Sequence, residues 1–250
     1  MNERLLEFAL IGFEALLRWR HPEHGMMPTQ RFIAVAEDTG LIIPIGEWVL
    51  RTACRQARAW LDAGYAPIRI AVNVSAYQIK AASIVDTVHS ALSDTGLDPA
   101  LLELEITEGA LQTGDGALDI LSRLKALGVC LALDDFGTGY SALSSLKLLP
   151  FDRLKIDRSF VQDLQHDADA RALCRAIIAM GRSLNMEIIA EGVETYEQLA
   201  FLREEGCDEM QGYLIGAPMS ADEMAMELSA HAKGVLARMH AVGMPVVGKS

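Results

Sequence analysis

One pattern recurs along the chain: a short apolar run rich in β-branched residues, then a turn, then a stretch with helical periodicity. Such runs predict seven strands, at Ala9–Ala15, Ile68–Val74, Leu101–Thr107, Val129–Asp134, Arg153–Asp157, Glu187–Ala190 and Asp208–Gly212. Several of the helical stretches end in glycine, the residue that best adopts the left-handed conformation at a helix end. Repeated β–α units favour a parallel sheet, either open or closed into a barrel.

The closed form is favoured over the open one. An open dinucleotide-binding sheet carries a glycine-rich loop after its first strand, and no such loop follows the first predicted strand here. The chain has 250 residues, which suits a (βα)8 barrel, and 51% of them are apolar, enough for a large core. We therefore predict an α/β chain with a (βα)8 TIM-like barrel that forms a single domain across residues 1–250.

Charge and composition indicate which binding partners do not suit this chain and which cellular compartment does. The formal net charge of −12 argues against binding duplex nucleic acid or an anionic membrane surface, since both need basic faces. The absence of a long apolar run argues against membrane insertion. The four cysteines show no paired spacing, which disfavours zinc and disulfides and suits a reducing compartment. We expect a cytoplasmic protein.

Polar residues stand at the carboxyl end of each predicted strand. In chain order they are Glu14, Asn73, Glu105, Asp134, Asp135, Lys155, Asp157, Glu191 and Gln211. In a barrel of this kind the carboxyl ends of the strands meet at one mouth, where active sites lie. So many carboxylates in one cavity repel one another, and a single lysine does not neutralise them. The sequence therefore predicts bound cations, and oxygen ligands favour Mg²⁺ or Mn²⁺ over zinc.

Each of these residues taken alone has a simpler explanation. Asp157 precedes Arg158 and is equally well explained as a helix cap. Lys155 alone is typical of a surface lysine, and Asn73 of a loop residue. Their coincidence at successive strand ends favours one shared site instead. Paired cations roughly 3.5–4 Å apart are a common device for phosphodiester hydrolysis.

The same positions carry a family signature. The chain resembles the EAL-domain phosphodiesterases from about Gly12 to Met219, with the motifs in the family's order and spacing. The motifs are EALLRW (Glu14–Trp19), NVS (Asn73–Ser75), ELEITE (Glu103–Glu108), LDDFGTGYSAL (Leu133–Leu143), LKID (Leu154–Asp157), AEGVET (Ala190–Thr195) and QGY (Gln211–Tyr213).

The resemblance implies an enzyme that hydrolyses cyclic di-GMP to linear pGpG with two Mg²⁺ or Mn²⁺ ions. The first ion would be held by Glu14, Asn73, Glu105 and Asp134. Asp134 would bridge to the second ion, which Asp135 also serves.

The resemblance also assigns the remaining roles. Lys155 would orient or polarise the attacking water, and Glu191 would hold or deprotonate a metal-bound water, so that both join Glu14 as catalytic residues. Arg18 would bind a substrate phosphate, with Gln211 and Asp157 in support at the same mouth.

A glycine-containing loop follows the double aspartate, at Asp135–Ser145. It resembles the family's mobile loop, which is linked to metal binding and to dimer contacts. Gly137 and Gly139 would permit its turn and Glu108 would steady it from the neighbouring strand. The resemblance thus also implies a homodimer.

The two ends of the chain depart from the family pattern. Family members have a further strand before the position of Gly12, whereas only the shortened segment 1–11 precedes it here. Either the chain is a piece of a larger protein, without its regulatory domain, or Arg4–Leu10 improvises the closing strand. After a helix at Ala221–His240, we predict a flexible tail at 241–250.

Two other functions compete with hydrolysis. The first is a receptor that binds cyclic di-GMP without cleaving it, although such family members typically lose metal ligands that this sequence retains. The second is a glycosidase with a single acid pair. That chemistry does not account for Asn73, Lys155 and a double aspartate together, so it ranks last.

Overall fold

The computed structural model describes residues 9–81, 83–111, 116–137, 146–232 and 242–247. Its strands are β1 (Gly12–His21), β2 (Gly25–Met27), β3 (Arg69–Val74), β4 (Leu102–Thr107), β5 (Cys130–Phe136), β6 (Arg153–Ile156), β7 (Glu187–Ala190), β8 (Glu209–Met210) and β9 (Val242–Val247). Its α-helices are α1 (Thr29–Asp38), α2 (Ile42–Asp62), α3 (Ala76–Lys80), α4 (Ile84–Thr95), α5 (Glu108–Leu111), α6 (Ala117–Ala126), α7 (Arg158–Gln162), α8 (Ala168–Ser183), α9 (Tyr196–Glu204) and α10 (Ala221–Ala232).

The strands form one curled sheet. Their order is β2-β1-β3-β4-β5-β6-β7-β8, with β9 on β1, and every pair is parallel except β1 with β2. Helices follow the parallel strands along the chain, as β–α units require. The prediction of an α/β, TIM-like barrel is thus confirmed.

The strand β4 shows how the sequence divides the barrel into two layers. Leu102, Leu104 and Ile106 are fully buried and belong to the hydrophobic core. Glu103 and Glu105 alternate with them, so they face the barrel interior, and both are also buried. The apolar core therefore lies between sheet and helices, while the inside of the barrel is unusually polar.

A capping box fixes the chain near the end of β7. Thr195 accepts a hydrogen bond from the Gln198 backbone N–H, and the Gln198 side chain accepts one from the Thr195 N–H. The same Gln198 amide donates to the Val161 carbonyl in α7, at 3.1 Å. This buried residue joins the segments that follow β6 and β7, both of which carry predicted site residues.

The hairpin of β1 and β2 differs from the prediction. The sequence predicts a first strand at Ala9–Ala15, whereas β1 runs from Gly12 to His21 and pairs with β2 through Trp19, Arg20 and His21. Much of the hairpin faces solvent, so the carboxyl half of β1 contains polar residues and lacks the apolar run from which a strand is predicted.

The carboxyl end of the chain carries a strand within the segment predicted as a flexible tail, 241–250. This strand, β9, pairs in parallel with β1 from Phe13 opposite Val242 to Arg18 opposite Val247. The unpaired edge of β1 offers backbone groups that a short extended segment can bind. The improvised strand expected at Arg4–Leu10 lies largely outside the described residues, and residues 9 and 10 are not in a strand. Among the described helices, none combines the length and apolarity needed to cross a membrane.

Candidate metal and active site

The first site carboxylate, Glu14, is held by two amides from neighbouring parts of the barrel. Asn73 in β3 donates from Nδ2 to Glu14 Oε1 at 2.6 Å. Gln211, just after β8, donates from Nε2 to Glu14 Oε2 at 2.7 Å. These two contacts fix both oxygens of the carboxylate at the junction of the first and last parallel strands.

Lys155 lies at the centre of the site and is only 1% exposed. Its ammonium nitrogen lies 2.7 Å from Glu105 Oε1, 2.6 Å from Glu191 Oε1 and 3.3 Å from Asp134 Oδ1. The three carboxylates come from the ends of β4, β7 and β5, so one lysine on β6 joins strands on both sides of it.

A bulge at the end of β5 brings two consecutive aspartates to the same site. In a regular strand, neighbouring side chains point to opposite faces. Here the pairing register between β5 and β6 shifts after Leu133, and Asp135 has a left-handed backbone with φ of 53°. One carboxylate oxygen from each of Asp134, Asp135 and Glu191 can therefore lie within 4.8 Å of the others.

We call Lys155 and the acidic residues gathered around it the carboxylate cup. Its members are Glu14, Glu105, Asp134, Asp135, Glu191 and Lys155.

Burial and charge shift the pKa values of the cup in opposite directions. Burial acts to raise the pKa of Glu14, but Lys155 and the hydrogen bonds from Gln211 and Asn73 outweigh it and leave the pKa lowered. Burial and the nearby charge of Glu14 raise the pKa of Glu105 well above its usual value. Burial also raises the pKa of Glu191, to about 7, against the opposing charge of Lys155.

The cup fits divalent cations. Five carboxylates face one ammonium among the described residues of the cup. Oxygen-only ligands of this kind suit Mg²⁺ or Mn²⁺. Burial would lower the pKa of Lys155, yet Glu105 and Glu191 hold it well above its usual value, so this lysine stays charged.

The other predicted substrate residues, Arg18 and Asp157, lie on chain segments that also carry cup residues. Arg18 lies on the same face of β1 as Glu14, four residues further along, and donates to the Leu17 carbonyl at 3.0 Å. Asp157 caps α7 by accepting from the Ser159 backbone N–H at 3.0 Å. The helix-cap explanation of Asp157 therefore has a geometric basis, and its substrate role stays a prediction.

The predicted support for the loop is present in part. Glu108 is buried, and its Oε2 accepts a hydrogen bond from the Gly137 backbone N–H at 3.2 Å. Gly137 has a φ of 96°, and a Cβ there would lie 2.9 Å from the Phe160 ring, so only glycine fits. Gly139 lies outside the described residues.

A cleft of about 230 Å³ opens from the cup to solvent. Glu14, Asp134, Glu191 and Gln211 line it on the inner side. Arg158, Glu194 and Tyr213 line it further out, and the sequence analysis assigned no role to them. Arg158 directly follows the LKID motif, whereas Glu194 and Tyr213 lie within the AEGVET and QGY motifs, and this is the signal that could have identified them.

A second set of charged residues inside the barrel was not predicted from the sequence. They lie one layer below the cup, toward the amino ends of the strands, and we call them the floor cluster: Arg69, Glu103, Arg153 and Glu209. The signal was their spacing, because each precedes a predicted site residue on its own strand by two or four positions, and residues so spaced share a face.

The fold and the site together match one known class of domain. The profile of the EAL domain family matches residues 4–218, and the chain belongs to that family.

Individual relatives are similar over most of this chain. It is 53% identical over 216 residues to the bifunctional diguanylate cyclase/cyclic di-GMP phosphodiesterase MucR of Pseudomonas aeruginosa, covering 86% of this chain and 32% of MucR. It is 49% identical over 207 residues to the cyclic di-GMP phosphodiesterase NbdA of the same organism, covering 82% of this chain and 26% of NbdA. The chain thus spans about a third or less of the length of these curated relatives.

Solved structures give the same result for the fold. The structure of the PaMucR phosphodiesterase in complex with c-di-GMP superposes with a TM-score of 0.82 at 53% identity, covering 86% of this chain and 87% of that one. The FimX EAL domain from Pseudomonas aeruginosa bound to c-di-GMP superposes with a TM-score of 0.74 at 25% identity, covering 81% of each chain.

Proposed function

We propose that the chain hydrolyses cyclic di-GMP to linear pGpG with two divalent cations, Mg²⁺ or Mn²⁺. The observation that carries this proposal is the carboxylate cup, in which five acids and one buried lysine converge at the carboxyl ends of the parallel strands. The names of MucR and NbdA, and the c-di-GMP complex of PaMucR, support the choice of substrate.

The proposed ligands divide into two groups. Glu14, Asn73, Glu105 and Asp134 would hold one ion, and Asp134 with Asp135 the other. Bound divalent cations supply Lewis acidity and lower the pKa of water, which a phosphodiester hydrolase needs at neutral pH. Without them, the buried carboxylates would repel one another and hold protons, as the raised pKa of Glu105 indicates.

Lys155 and Glu191 would act on the attacking water. The water oxygen bonds to phosphorus, the bond from phosphorus to the 3′ oxygen breaks, and the 3′ oxygen takes up a proton to become a hydroxyl. The linear product keeps the phosphate at its 5′ end. Lys155 remains charged and orients the water as a donor. Glu191 lies 2.6 Å from Lys155 Nζ at the inner wall of the cleft, where it can accept the proton that the water loses.

Arg18 would bind a phosphate of the substrate at the rim. A guanidinium offers paired donors that match two phosphate oxygens. Gln211 keeps its amide on Glu14 and also lines the cleft, so its contribution to substrate binding would come through the same side chain.

The test is hydrolysis of cyclic di-GMP by the purified chain in Mn²⁺, with and without chelator. We expect pGpG only with metal, and a loss of about 10³-fold in kcat for Asp134→Asn because the proposed bridging ligand loses its charge. Turnover in Asp134→Asn or Glu14→Ala equal to wild type would contradict the proposed ligands.

A receptor without turnover is the second candidate, since the FimX domain is described only as bound to c-di-GMP. Saturable binding of cyclic di-GMP by the metal-loaded chain without any pGpG would favour it. A homodimer and a cytoplasmic location stay predictions, and light scattering of the purified chain checks the first.

A further inference from the structure

The strand β8 is held weakly by its backbone. It has two residues, and among the described strands it is hydrogen-bonded to β7 alone. Side chains make further connections, to β1 and to β3. Gln211 reaches Glu14 at 2.7 Å above, and Glu209 reaches Arg69 Nη2 at 2.6 Å below.

Glu209 is the residue of the floor cluster that makes this connection. Its carboxylate also accepts from Arg153 Nη1, with both oxygens at 2.8 Å. Arg69 and Arg153 lie on β3 and β6, so one carboxylate joins the last strand to two other parts of the barrel. One guanidinium nitrogen thus contacts both carboxylate oxygens, and charge-assisted hydrogen bonds of this kind are stronger than those between neutral groups.

Other features of the floor favour this contact. Glu103 Oε2 lies 3.0 Å from Arg69 Nε and 3.2 Å from Arg153 Nε, which holds both guanidinium groups from the opposite side. Gly12 packs against Arg69: a Cβ at Gly12 would lie 3.3 Å from the Arg69 carbonyl oxygen and in ordinary contact, at 3.7 Å, with Arg69 Nε. The guanidinium of Arg69 extends from β3 to Glu209 on β8.

A small cavity of about 40 Å³ separates the floor cluster from the cup at this junction. Glu14, Glu105 and Gln211 line it together with Arg69 and Glu209. A gap of this size next to Glu14 means that close packing does not set the position of the Gln211 side chain. The backbone of Gln211 is fixed to β7, where it donates to the Ala190 carbonyl at 2.8 Å.

We propose that Glu209, clamped by Arg69 and Arg153, is a positioning residue that sets β8 so that the Gln211 amide holds Glu14 for the metal. This inference rests on the proposed function for the identity of the bound group, and it adds a residue outside the cup. Partners of metal ligands typically change metal affinity by about 10–100-fold when they are mutated.

The experiment measures Mn²⁺ affinity by electron paramagnetic resonance, together with kcat and KM, in Glu209→Gln. We expect the dissociation constant for Mn²⁺ to rise about tenfold. At saturating Mn²⁺, kcat should recover to near the wild-type value. Glu187→Gln is the matched control: Glu187 pairs with the same Arg153, but its side chain is 57% exposed and lies outside the floor cluster, so its Mn²⁺ affinity should not change.

A double-mutant cycle separates positioning from simple charge or folding effects. If Glu209 acts through Gln211, then Glu209→Gln should weaken Mn²⁺ binding no further in a Gln211→Ala background. Additive losses, or an unchanged affinity in Glu209→Gln, would overturn the proposal. If Glu209→Gln does not fold, as judged by urea unfolding, Glu209→Asp keeps the charge while withdrawing the carboxylate and carries the same cycle.

The outcomes also separate this proposal from the proposed function. Wild-type chain that binds Mn²⁺ but releases no pGpG refutes hydrolysis, while the binding cycle still decides the role of Glu209. Wild-type chain that binds no Mn²⁺ overturns both.

Discussion

The cup and the floor cluster are two groups of buried charges in the same barrel, and they differ in balance. The floor cluster matches two arginines with two glutamates, each ion within 3.2 Å of a partner. The cup sets five carboxylates against Lys155 alone. Both face the inside of the barrel, and on β4 and β6 a member of each group stands two residues from a member of the other, as Glu103 and Glu105 do.

This difference separates a structural role from a binding role. A balanced buried group satisfies its own charges and needs nothing from solvent. In an unbalanced group, burial and the neighbouring carboxylates together raise the pKa values, as at Glu105 and Glu191, and bound cations would offset that rise. Burial of charge alone therefore does not indicate a binding site, whereas uncompensated burial does.

The largest effect should come from the same chemical change made in the two layers. Glu103→Gln removes one charge from the balanced floor and leaves Arg69 and Arg153 short of a buried partner. We expect the free energy of unfolding to fall by about 3–5 kcal/mol. Urea denaturation in chelator measures it.

Asp135→Asn is the matched change in the cup. Burial and the charges of Asp134 and Asp157 raise the pKa of Asp135, so its charge is unfavourable without metal. Asparagine also tolerates the left-handed backbone there. No loss of stability in chelator is expected, and equal losses in the two variants would refute the contrast between the layers.

The next effect is the pH dependence that Glu191 gives to the cup. The unfolded chain releases the Glu191 proton near its ordinary pKa of 4.5, whereas the folded chain holds it until about pH 7. The folded state therefore binds more protons in this interval, and stability present below pH 4.5 is lost as pH rises through about 7. At about 1.4 kcal/mol per pKa unit, the loss is about 3 kcal/mol.

Glu191→Gln isolates that contribution, because glutamine does not titrate. The free energies of unfolding of both proteins are measured in chelator at a series of pH values. That of the wild-type chain should fall by about 3 kcal/mol relative to that of Glu191→Gln as pH rises from 4.5 to about 7. Parallel curves would show that Glu191 keeps an ordinary pKa in the folded chain.

The smallest of the three effects is the response to metal. Mn²⁺ at about one hundred times its dissociation constant should raise the free energy of unfolding of the wild-type chain by about 2.7 kcal/mol, because only the folded cup assembles the ligands. Asp134→Asn should lose most of this gain. Calorimetric unfolding with and without Mn²⁺ measures both, and an equal gain in the variant would place the ion elsewhere.

The sequence predicted the cup better than the floor for a physical reason. Glu14, Asp134 and Lys155 stand where apolar runs end, and parallel strands bring their carboxyl ends together, so position in the run implied position in space. Glu103 and Arg153 stand within or at the start of such runs, where single charges look like solvent-exposed residues of a strand. Only the period of two along each strand could have indicated that they face inward.

The edges of the sheet were the least predictable part of the fold. The pairing of β9 with β1 joins segments more than two hundred residues apart, and no local pattern encodes it. The bulge at Asp135 could not be predicted from the local sequence either, because its left-handed φ depends on the tertiary contacts around the end of β5.

The two amides that donate to Glu14 affect both the orientation and the charge of its carboxylate. Asn73 and Gln211 are neutral donors, so they aim both carboxylate oxygens without cancelling any of the negative charge. An arginine in either place would orient the carboxylate equally well, but its positive charge would neutralise the carboxylate and weaken the attraction for a cation. The two amides therefore orient the carboxylate of Glu14 without neutralising it, and its negative charge stays available to attract a cation.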